Sequence, residues 1–486
     1  MSERLLAISD KDNVCVVLEE AGSIPFGHKI AREDIRIGEQ IIKYGYPIGH
    51  AICDIKKGEH VHVHNMKTNL SGQVEYEYQP DLEAISHFST NKATRSFLGY
   101  ERENGEVGIR NEVWIIPTVG CVNTTAELLA KRAREKYKNI LDDSIDGIFA
   151  YTHNMGCSQL GEDHRCTQQI LKGLIMHPNA GAVLVVSLGC ENNNLNEFKP
   201  ILGNTNQHRV KFLVTQDQEN ELEAGEALLD ELILYASQSK RTRVPASKLR
   251  VGFKCGGSDA FSGITANPLC GKVNDKIVKE GGSTVLTEVP EMFGAEQILM
   301  ARAVNQNVFT KIVELINNFK DYFTKYGQTI YENPSPGNKQ GGITSLEEKS
   351  LGCIQKGGTA PVVDVLNMGE TVVKNGLSLL NGPGNDQISA TNLVASGVQM
   401  VLFTTGRGNP FGTAVPTVKI SSNSHLYKKK RNWIDFNAGA ILDGVPFEEV
   451  TEQFLDFILD VASGRRTKNE QNGYREISIF RDGVIL

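Results

Sequence analysis

The sequence lacks several features that mark specialised classes of protein. No uninterrupted apolar stretch among its 486 residues approaches the roughly 20 residues of a membrane-spanning helix. Charge of one sign forms no long run, because 51 basic residues are interspersed with 58 acidic ones for a net charge of −7. The basic cluster at 428–431 is short, and we interpret it as a solvated helix face. We therefore expect neither a nucleic-acid nor a membrane partner.

Motifs for nucleotides and for secretion are also missing. Neither G-x-G-x-x-G nor G-x-x-x-x-G-K-[ST] stands between a strand and a helix, so nicotinamide and nucleotide cofactors are not indicated. The first residues contain no long apolar run of the kind found in secretory signals. The nine cysteines are an odd number in a chain without a disulfide-scaffold composition. We expect a cytoplasmic protein whose thiols are reduced and free for metal binding or chemistry.

The hydrophobic pattern divides the chain into regions of different type. Residues 1–80 consist of short strand-like pieces between Gly and Asp turns, which predict a small β-rich domain. Residues 81–100 are polar and irregular, and we interpret them as a linker. Residues 101–240 alternate between apolar runs and helical patterns. In that first α/β domain we predict strands near 112–119, 146–152, 181–188 and 209–215, and helices near 122–137, 161–176 and 219–238.

A second α/β domain is predicted for residues 249–486, after a short linker at 240–248. Its strands are expected near 249–254, 283–287 and 399–405, and its helices near 293–325 and 447–462. The Gly-, Pro- and Lys-rich residues 332–358 predict a long functional loop. The predicted fold class is thus α/β, with a small β-rich N-terminal domain followed by parallel-sheet, Rossmann-like units with right-handed crossovers.

Four cysteines stand where predicted strands end. Cys121, Cys157, Cys190 and Cys255 each adjoin a glycine at or just after the end of an apolar run. Ligands of open α/β sheets bind outside the carboxyl ends of such strands. Each cysteine alone is explained as a small buried side chain. Together they indicate a metal or iron–sulfur site, although their spacing is not the compact C-x-x-C kind.

Histidines in the N-terminal region provide a second candidate metal site. His60, His62 and His64 alternate with valines, so a strand would place the three imidazoles on one face. Neutral imidazoles two residues apart can share an iron or zinc ion. His28 could join them from a neighbouring turn. The alternative is a solvated β-face that is rich in histidine.

Four further residues are candidates for catalysis and substrate binding. His153 lies between a predicted strand and helix, where an acid–base residue is well placed. Glu288 follows another strand, close to Glu291, and such carboxylates can take a proton, ligate a metal or cap a helix. Arg407 stands in a glycine loop at a strand end, which suits carboxylate binding. Lys339 lies in the glycine-rich region, where a backbone can approach a ligand closely.

Longer motifs resemble those of the altronate/galactarate dehydratase family over essentially the full length. They are Ile42–Gly49 and Gly58–Asn65, similar to the SAF (β-clip) domain of that family, then Pro117–Asn123, Gly156–Gly161, Gly189–Asn192, Cys255–Asp259, Thr287–Glu296, Asn333–Lys339 and Thr404–Gly408. Pro117–Asn123 and Ser350–Cys353 are similar to the altronate branch.

The resemblance implies an iron(II)-dependent hydro-lyase of hexuronate catabolism. It would convert D-altronate to 2-dehydro-3-deoxy-D-gluconate and water. The alternatives are galactarate dehydratase, another hydro-lyase or a sulfo-lyase acting on a related 2-hydroxy acid, or a binding protein without turnover. Mn²⁺ could replace Fe²⁺, and a labile iron–sulfur cluster is the other cofactor hypothesis. We expect a homodimer, as is common for enzymes of this size.

The residues suggest one mechanism for such a dehydration. His153 would serve as the base or the acid, with Glu288 as its counterpart, while Lys339 and Arg407 hold the substrate carboxylate. Iron would be bound by His62 and His64, with His28 as a further ligand, or by the cysteine set. The histidine version predicts that the N-terminal domain closes over the sheet edge of the large region.

Overall fold

The structure, a computed structural model, describes residues 5–18, 24–88, 93–141 and 144–485. Its N-terminal part is a small β-domain (residues 5–67), in which short apolar strands alternate with polar turns. Two antiparallel sheets with strand orders β1-β2-β3-β6 and β4-β5-β7 form this N-terminal β-domain. The strands are β1 (Leu5–Leu6), β2 (Val14–Val17), β3 (Lys29–Ala31), β4 (Gln40–Lys43), β5 (Tyr46–Ala51), β6 (His60–Val61) and β7 (Met66–Lys67). The predicted β-rich domain is confirmed.

The predicted linker is partly ordered secondary structure. It begins with α1 (Leu82–His87) and runs into β8 (Ser96–Glu101), which pairs with β9 (Val107–Gly108). Residues 89–92 of this segment lie outside the described residues.

A four-stranded parallel sheet follows, with strand order β11-β10-β12-β13. Its two central strands are continuous apolar runs and are buried on both faces, as expected for a parallel sheet covered by helices. The elements are β10 (Glu112–Pro117), α2 (Asn123–Lys136), β11 (Gly147–Ala150), α3 (Gly161–Met176), β12 (Ala180–Ser187), α4 (Leu195–Leu202), β13 (Val210–Val214) and α5 (Glu221–Ser237). The strands and the three helices predicted for this region are confirmed.

The chain then returns to β8. Strand β14 (Thr242–Pro245) pairs with it in antiparallel register, Val244 opposite Phe97. The second predicted linker, residues 240–248, therefore contains an edge strand rather than irregular chain, because both strands bury an apolar side chain against the neighbouring sheet.

The C-terminal region is built on a seven-stranded parallel sheet with strand order β17-β18-β16-β15-β19-β20-β21. These strands are β15 (Arg250–Cys255), β16 (Ser283–Leu286), β17 (Val362–Leu366), β18 (Gly376–Leu380), β19 (Met400–Thr405), β20 (Thr417–Ser421) and β21 (Phe436–Asn437). The helices are α6 (Ala266–Lys279), α7 (Glu296–Met300), α8 (Gln306–Lys325), α9 (Pro336–Gln340), α10 (Leu346–Cys353), α11 (Asp386–Ala395), α12 (Ser424–Lys429), α13 (Phe447–Ala462) and α14 (Lys468–Asn472). The predicted α/β class is confirmed.

Residues 332–358 differ from the expected long loop. Ser335 caps α9 with Pro336 in its first turn, and Ser345 caps α10, so the segment contains two short helices and the 3₁₀ turn Ile354–Gly357. The glycines and prolines that predicted a loop instead separate these helices. The predicted helix at 293–325 is likewise interrupted, after α7 and before α8.

The two parallel sheets share one hydrophobic core. Trp114 and Ile116 of the four-stranded sheet and Val401 of the seven-stranded sheet belong to the same buried cluster, together with residues of α3 and α11. The two sheets are therefore fixed relative to each other by apolar packing. No helix in the described ranges is long and apolar enough to cross a bilayer.

Candidate active site

The richest collection of reactive side chains lies at the carboxyl edge of the seven-stranded sheet. Strands β15 and β16 are neighbours, and they end at Cys255 and just before Glu288 and Glu291. Helix α10 lies against the turn after β16 and ends with Cys353. This edge is where open α/β sheets bind ligands.

Two thiols and one carboxylate meet there. Cys255 Sγ and Cys353 Sγ each lie 3.0 Å from Glu291 Oε2 and 3.5 Å from each other. All three residues are buried. In the described part of the chain, they are the one set of three or more Cys, His, Asp or Glu ligand atoms that all lie within 4.8 Å of one another. The group, which we call the thiol–carboxylate group, has the donors and the compactness of a metal site.

A second buried carboxylate, that of Glu288, lies beside this group. Glu288 accepts hydrogen bonds from the Lys254 ammonium and, at 3.2 Å, from Lys356 Nζ, while its Oε2 accepts from the Cys255 backbone N–H at 3.0 Å. Its backbone φ of 72° is rare for a residue with a long side chain. This strained conformation places the carboxylate where it compensates the buried charges of Lys254 and Lys356.

The lysines also control ionisation at the group. Burial opposes the charged form of Glu291, but Lys349, Lys254 and Lys356 outweigh it and hold the pKa of that carboxyl well below its usual range. The pKa of Cys353 is raised well above its usual value by its hydrogen bond with Cys255 and by burial. Without a bound cation, the group therefore consists of an ionised carboxylate and a neutral Cys353 thiol.

A cavity of about 420 Å³ opens directly onto the group. Lys349 Nζ lies on its wall, 2.9 Å from Glu291 Oε1 and 2.9 Å from Asn333 Oδ1. Asp386, whose side chain is 28% exposed, also lines the cavity and contacts Lys254 Nζ at 2.9 Å and Asn409 Nδ2 at 2.7 Å. The lining residues are Cys255, Gly256, Gly257, Pro290, Glu291, Phe323, Ile330, Glu332, Asn333, Ser335, Pro336, Asn338, Lys349, Gly384 and Asp386. The volume and the charged and amide side chains within this mixed lining suit a small polyhydroxylated acid.

The N-terminal β-domain fixes helix α10, which carries both Lys349 and Cys353. Glu348 of α10 accepts from Lys29 Nζ at 2.9 Å and from Lys43 Nζ at 2.7 Å, and all three side chains are buried. Tyr44, with φ 62°, packs so closely against Gly263 that a Cβ there would lie 2.4 Å from its hydroxyl oxygen. The β-domain and the large region are thus held together beside the site.

The predicted histidine set lies at the same interface but away from the thiol–carboxylate group. His28 Nε2 hydrogen bonds to the Gln340 carbonyl at 3.2 Å, and His62 Nε2 hydrogen bonds to the Lys339 carbonyl at 3.0 Å. His28 Nδ1 lies 3.0 Å from His60 Nε2, and the ring of His64 lies tilted against that of His60, with 5.4 Å between the ring centroids. The structure therefore uses these imidazoles to contact α9, and it does place the N-terminal domain near the sheet edge as the histidine hypothesis required.

The two predicted substrate residues lie in different places, Arg407 beside the cavity and Lys339 in a separate pocket. Arg407 is hydrogen bonded to the Gly337 carbonyl at 3.3 Å and to Gln340 Oε1 at 3.1 Å, while its backbone N–H contacts Gly257, which lines the cavity. Lys339 lines a smaller pocket of about 150 Å³ beside the N-terminal β-domain. Neither side chain lines the 420 Å³ cavity.

The remaining predicted residues belong to the other sheet. Cys121, Cys157 and Cys190 follow β10, β11 and β12, so the structure separates them from Cys255. His153 is buried beside them, with Nε2 2.8 Å from the Pro117 carbonyl oxygen and Nδ1 accepting from the Met155 N–H at 3.1 Å. Both ring nitrogens hold the loop, and His153 is not brought together with Glu288.

Sequence reasoning missed Lys254, Lys356, Cys353 and Asp386 as site residues. Two of them carry a recognisable signal. Lys254 interrupts an otherwise apolar buried strand, where a lysine needs a partner. Cys353 follows a glycine, like Cys121, Cys157 and Cys190. Lys356 and Asp386 lie in polar surroundings that give no such sign.

Three family models match consecutive parts of the chain. They are described as the altronate/galactarate dehydratase SAF domain (residues 15–69), the second domain of D-galactarate dehydratase/altronate hydrolase (99–237) and the C-terminal domain of D-galactarate/altronate dehydratase (246–485). The third covers the seven-stranded sheet and its carboxyl edge.

Characterised relatives are similar over nearly the full length. The altronate dehydratase of Bacillus subtilis is 54% identical over 97% of this chain and 94% of its own. The altronate dehydratase of Escherichia coli is 49% identical over 98% of this chain and 94% of its own. The L-threo-forming galactarate dehydratase of Escherichia coli is 32% identical over 99% of this chain and 97% of its own.

Proposed function

The chain belongs to the altronate/galactarate dehydratase family, and we propose that it dehydrates D-altronate to 2-dehydro-3-deoxy-D-gluconate in hexuronate catabolism. It is a hydro-lyase in this proposal. The observation that carries it is the cavity at the carboxyl edge of the seven-stranded sheet, with Cys255 and Glu291 of the thiol–carboxylate group on its wall. The greater identity to altronate dehydratases favours altronate over galactarate as substrate.

The reaction sets three requirements for the site. The C2 proton lies next to a carboxylate and is weakly acidic, so the negative charge that develops on its removal must be stabilised. A base must reach that proton, and the C3 hydroxyl must leave as water. Water in bulk must be kept away from the developing charge.

Lys349 is our candidate for stabilising the substrate carboxylate. Its ammonium group is on the cavity wall, fixed by Glu291 Oε1 at 2.9 Å and Asn338 Oδ1 at 3.2 Å. A cation held in this way attracts a carboxylate without having to be reoriented during the reaction. Arg407 at the rim would steer the substrate acid toward the cavity.

Asp386 is our candidate for the base. It lines the cavity and is partly exposed, so it can approach C2 of a bound substrate. Lys254 and Asn409 each donate to one of its oxygens and fix its orientation. His153 and Glu288 do not line this cavity, and we therefore replace the predicted His153–Glu288 pair with Asp386.

The thiol–carboxylate group fits the iron that the family resemblance implies. Cys255, Cys353 and Glu291 would hold Fe²⁺ at the cavity wall, and their mixed sulfur and oxygen donors suit iron better than Mn²⁺. A divalent ion there would act as a Lewis acid toward the carboxylate and hydroxyl oxygens of the substrate. Lys349 and Lys254 would keep the surroundings neutral when the thiols ionise.

The substrate proposal is tested by anaerobic purification with iron(II) and a reductant, followed by assays of 2-keto acid formation on a panel of aldonic and aldaric acids. We expect D-altronate to be turned over well above galactarate. Preference for galactarate or for a 2-hydroxysulfonate would replace the substrate, and absence of turnover with iron bound would overturn the dehydratase proposal.

The ligand proposal is tested by comparing Cys353→Ser with the double variant His62→Ala/His64→Ala. We expect the cysteine variant to lose iron and turnover and the histidine variant to retain most bound iron, because His62 Nε2 is already hydrogen bonded to a carbonyl. Loss of iron in the histidine variant alone would restore the histidine hypothesis.

We also propose that the protein is cytoplasmic and forms a homodimer. All nine cysteines are free thiols, which supports a reducing cytoplasm. The homodimer stays a prediction, and mass measurement by light scattering on the iron-loaded protein will test it.

A further inference from the structure

Three cysteines lie together on the sheet that the proposed active site does not use. Cys121, Cys157 and Cys190 follow β10, β11 and β12, which are adjacent in the order β11-β10-β12. Cys121 and Cys190 are exposed and Cys157 is half-buried. We call this carboxyl edge of the four-stranded sheet, with its three cysteines, the thiol edge.

Hydrogen bonds join the three cysteine loops into one unit. The Gly120 N–H donates to the Met155 carbonyl at 3.1 Å, which joins the Cys121 loop to the Cys157 loop. The Asn193 N–H donates to the Gly156 carbonyl at 3.0 Å, which joins the Cys190 loop to the Cys157 loop. The backbones of the three cysteine loops are therefore fixed relative to one another.

The backbone next to Cys157 lies very close to the loop that follows β10. Gly156 has φ 102°, and a Cβ there would lie 2.0 Å from the Thr118 carbonyl oxygen. Ser158, a non-glycine residue, has φ 55°, and its N–H donates to Asn192 Oδ1 at 2.7 Å. Strain on both sides of one cysteine, held by contacts from the neighbouring loop, is typical of a functional position.

The other potential ligands in these loops are already engaged. His153 uses both ring nitrogens on the backbone. Glu191 accepts from Thr118 Oγ1, Ser187 Oγ and the Gly189 N–H at 2.6 Å each. Cys190 Sγ, in contrast, only accepts from Gln216 Nε2 at 3.4 Å among the described contacts, a donation of the kind that tunes a metal-bound sulfur.

The electric field of nearby helix N-termini favours negative charge at the thiol edge. Helices α2, α3 and α4 begin two to five residues after Cys121, Cys157 and Cys190, so three helix N-termini lie at the thiol edge. Helix N-termini stabilise thiolates and other anions. A site with three thiolates and several sulfide ions would gain from that field.

We propose that the thiol edge binds a [4Fe–4S] cluster through Cys121, Cys157 and Cys190, with the fourth iron free to take a ligand from outside the protein. A single ion is disfavoured, because none of these sulfurs belongs to a described set of three ligand atoms within 4.8 Å. A cubane cluster separates its three cysteine sulfurs more widely and uses thiolate ligands alone. This inference does not depend on the proposed function, whose iron is held by residues of the other sheet.

The test is anaerobic reconstitution of the full chain with iron, sulfide and dithiothreitol. We expect about four iron and four acid-labile sulfide ions per chain beyond the iron of the active site, with the broad visible absorption of a cubane cluster. Cys121→Ser, Cys157→Ser and Cys190→Ser should each lower bound sulfide at least about tenfold. Cys53→Ser, which alters an exposed cysteine of the N-terminal β-domain, and Cys353→Ser should leave it unchanged.

A second measurement needs no variant. Iodoacetamide should alkylate Cys121, Cys157 and Cys190 in the apo-protein and spare them after reconstitution, while Cys53 reacts in both states. Absence of labile sulfide in the wild type, or alkylation of the three cysteines regardless of reconstitution, would overturn the proposal. Loss of sulfide binding in Cys353→Ser alone would place the cluster at the other sheet and contradict it as well.

Discussion

The carboxyl edges of the two parallel sheets carry different chemistry. The edge of the seven-stranded sheet is buried and balanced in charge, with Lys254, Lys349 and Lys356 among Glu288, Glu291 and Asp386. The thiol edge of the four-stranded sheet carries three cysteines, of which Cys121 and Cys190 are exposed and Cys157 is half-buried. The same topological rule selected both places, but it does not decide which chemistry each one carries.

The difference arises from what covers each edge. Helices α9 and α10, held by the N-terminal β-domain, lie over the seven-stranded edge and bury its charges. Buried ions must be paired, so each carboxylate there has a lysine within hydrogen-bond distance. The thiol edge has no described cover of this kind, and its cysteines remain accessible without counter-charges.

The largest expected effect is the loss of turnover when the proposed base in the cavity is replaced. Asp386→Asn should lower kcat for altronate by about 10²–10⁴-fold, because a proposed general base is removed while its hydrogen-bonding shape is kept. Glu332→Gln, at an exposed position of the same cavity, is the matched control and should retain most activity. Equal losses in both variants would show that cavity charge, rather than proton transfer by Asp386, determines the rate.

The contact between helix α10 and the N-terminal β-domain can be weakened by one substitution. Glu348→Gln leaves Lys29 and Lys43 buried with no carboxylate between them and should cost about 3–5 kcal/mol of the free energy of unfolding. Asp34→Asn breaks the surface pair with Lys56, in which both side chains are at least 60% exposed, and should leave the stability nearly unchanged. Urea unfolding measures both, and a cost for Glu348→Gln no larger than that of the control would contradict the proposed cover.

The packing of the loops at the thiol edge can be disturbed by a substitution that changes no cysteine. Gly156→Ala should destabilise by about 2–4 kcal/mol, because a positive φ is combined with a backbone clash. Gly203→Ala has a positive φ of 72° in open space and should cost only about 1 kcal/mol. If thermal unfolding gives the same cost for both, the close approach of the cysteine loops is not required for stability.

The smallest effect is a pH dependence at the interface of the N-terminal β-domain. Burial lowers the pKa of His60 and of His62 from 6.5 to about 4, with neighbouring imidazoles adding to the shift of His60. The unfolded chain therefore binds more protons between these values, and stability that is complete above pH 6.5 is lost as the pH falls toward 4.

His62→Gln should reduce this loss. We expect the urea midpoint of the variant to fall less than that of the wild type between about pH 7 and about pH 5. His425→Gln, at an exposed position far along the chain, is the control and should behave as wild type. An unchanged pH dependence in His62→Gln would show that other groups titrate in this range.

Much of the fold could be predicted because strong periodic patterns dominate it. The four strands of the first α/β domain and helices α3 and α13 lie close to their predicted positions. Strands β17, β18 and β20 and helix α11 were not predicted, since short runs of mixed residues become buried only after neighbouring strands pair with them. The local pattern of residues 346–353 predicts loop rather than helix α10, because Glu348 finds its lysine partners only in the N-terminal β-domain.

The candidate site was predicted only in part, for a related reason. Cys255, Glu288 and Glu291 were recognised from their place after strands. Cys353 and Lys349 lie on a helix about 60 residues further along, and no local pattern connects them to Glu291. Their place in the site follows from their closeness to Glu291 in the folded structure.

By itself, the sequence determined the class of fold, the family and the positions at which strands end, because hydrophobic period and motif order are local properties of the chain. Only the tertiary structure decided how the cysteines divide. It placed Cys255 with Cys353 and Glu291 in a buried, lysine-rich edge and left Cys121, Cys157 and Cys190 on an exposed one. The physical reason is that burial and counter-charge are set by whatever packs over each edge, and here that cover comes from residues hundreds of positions away in the chain.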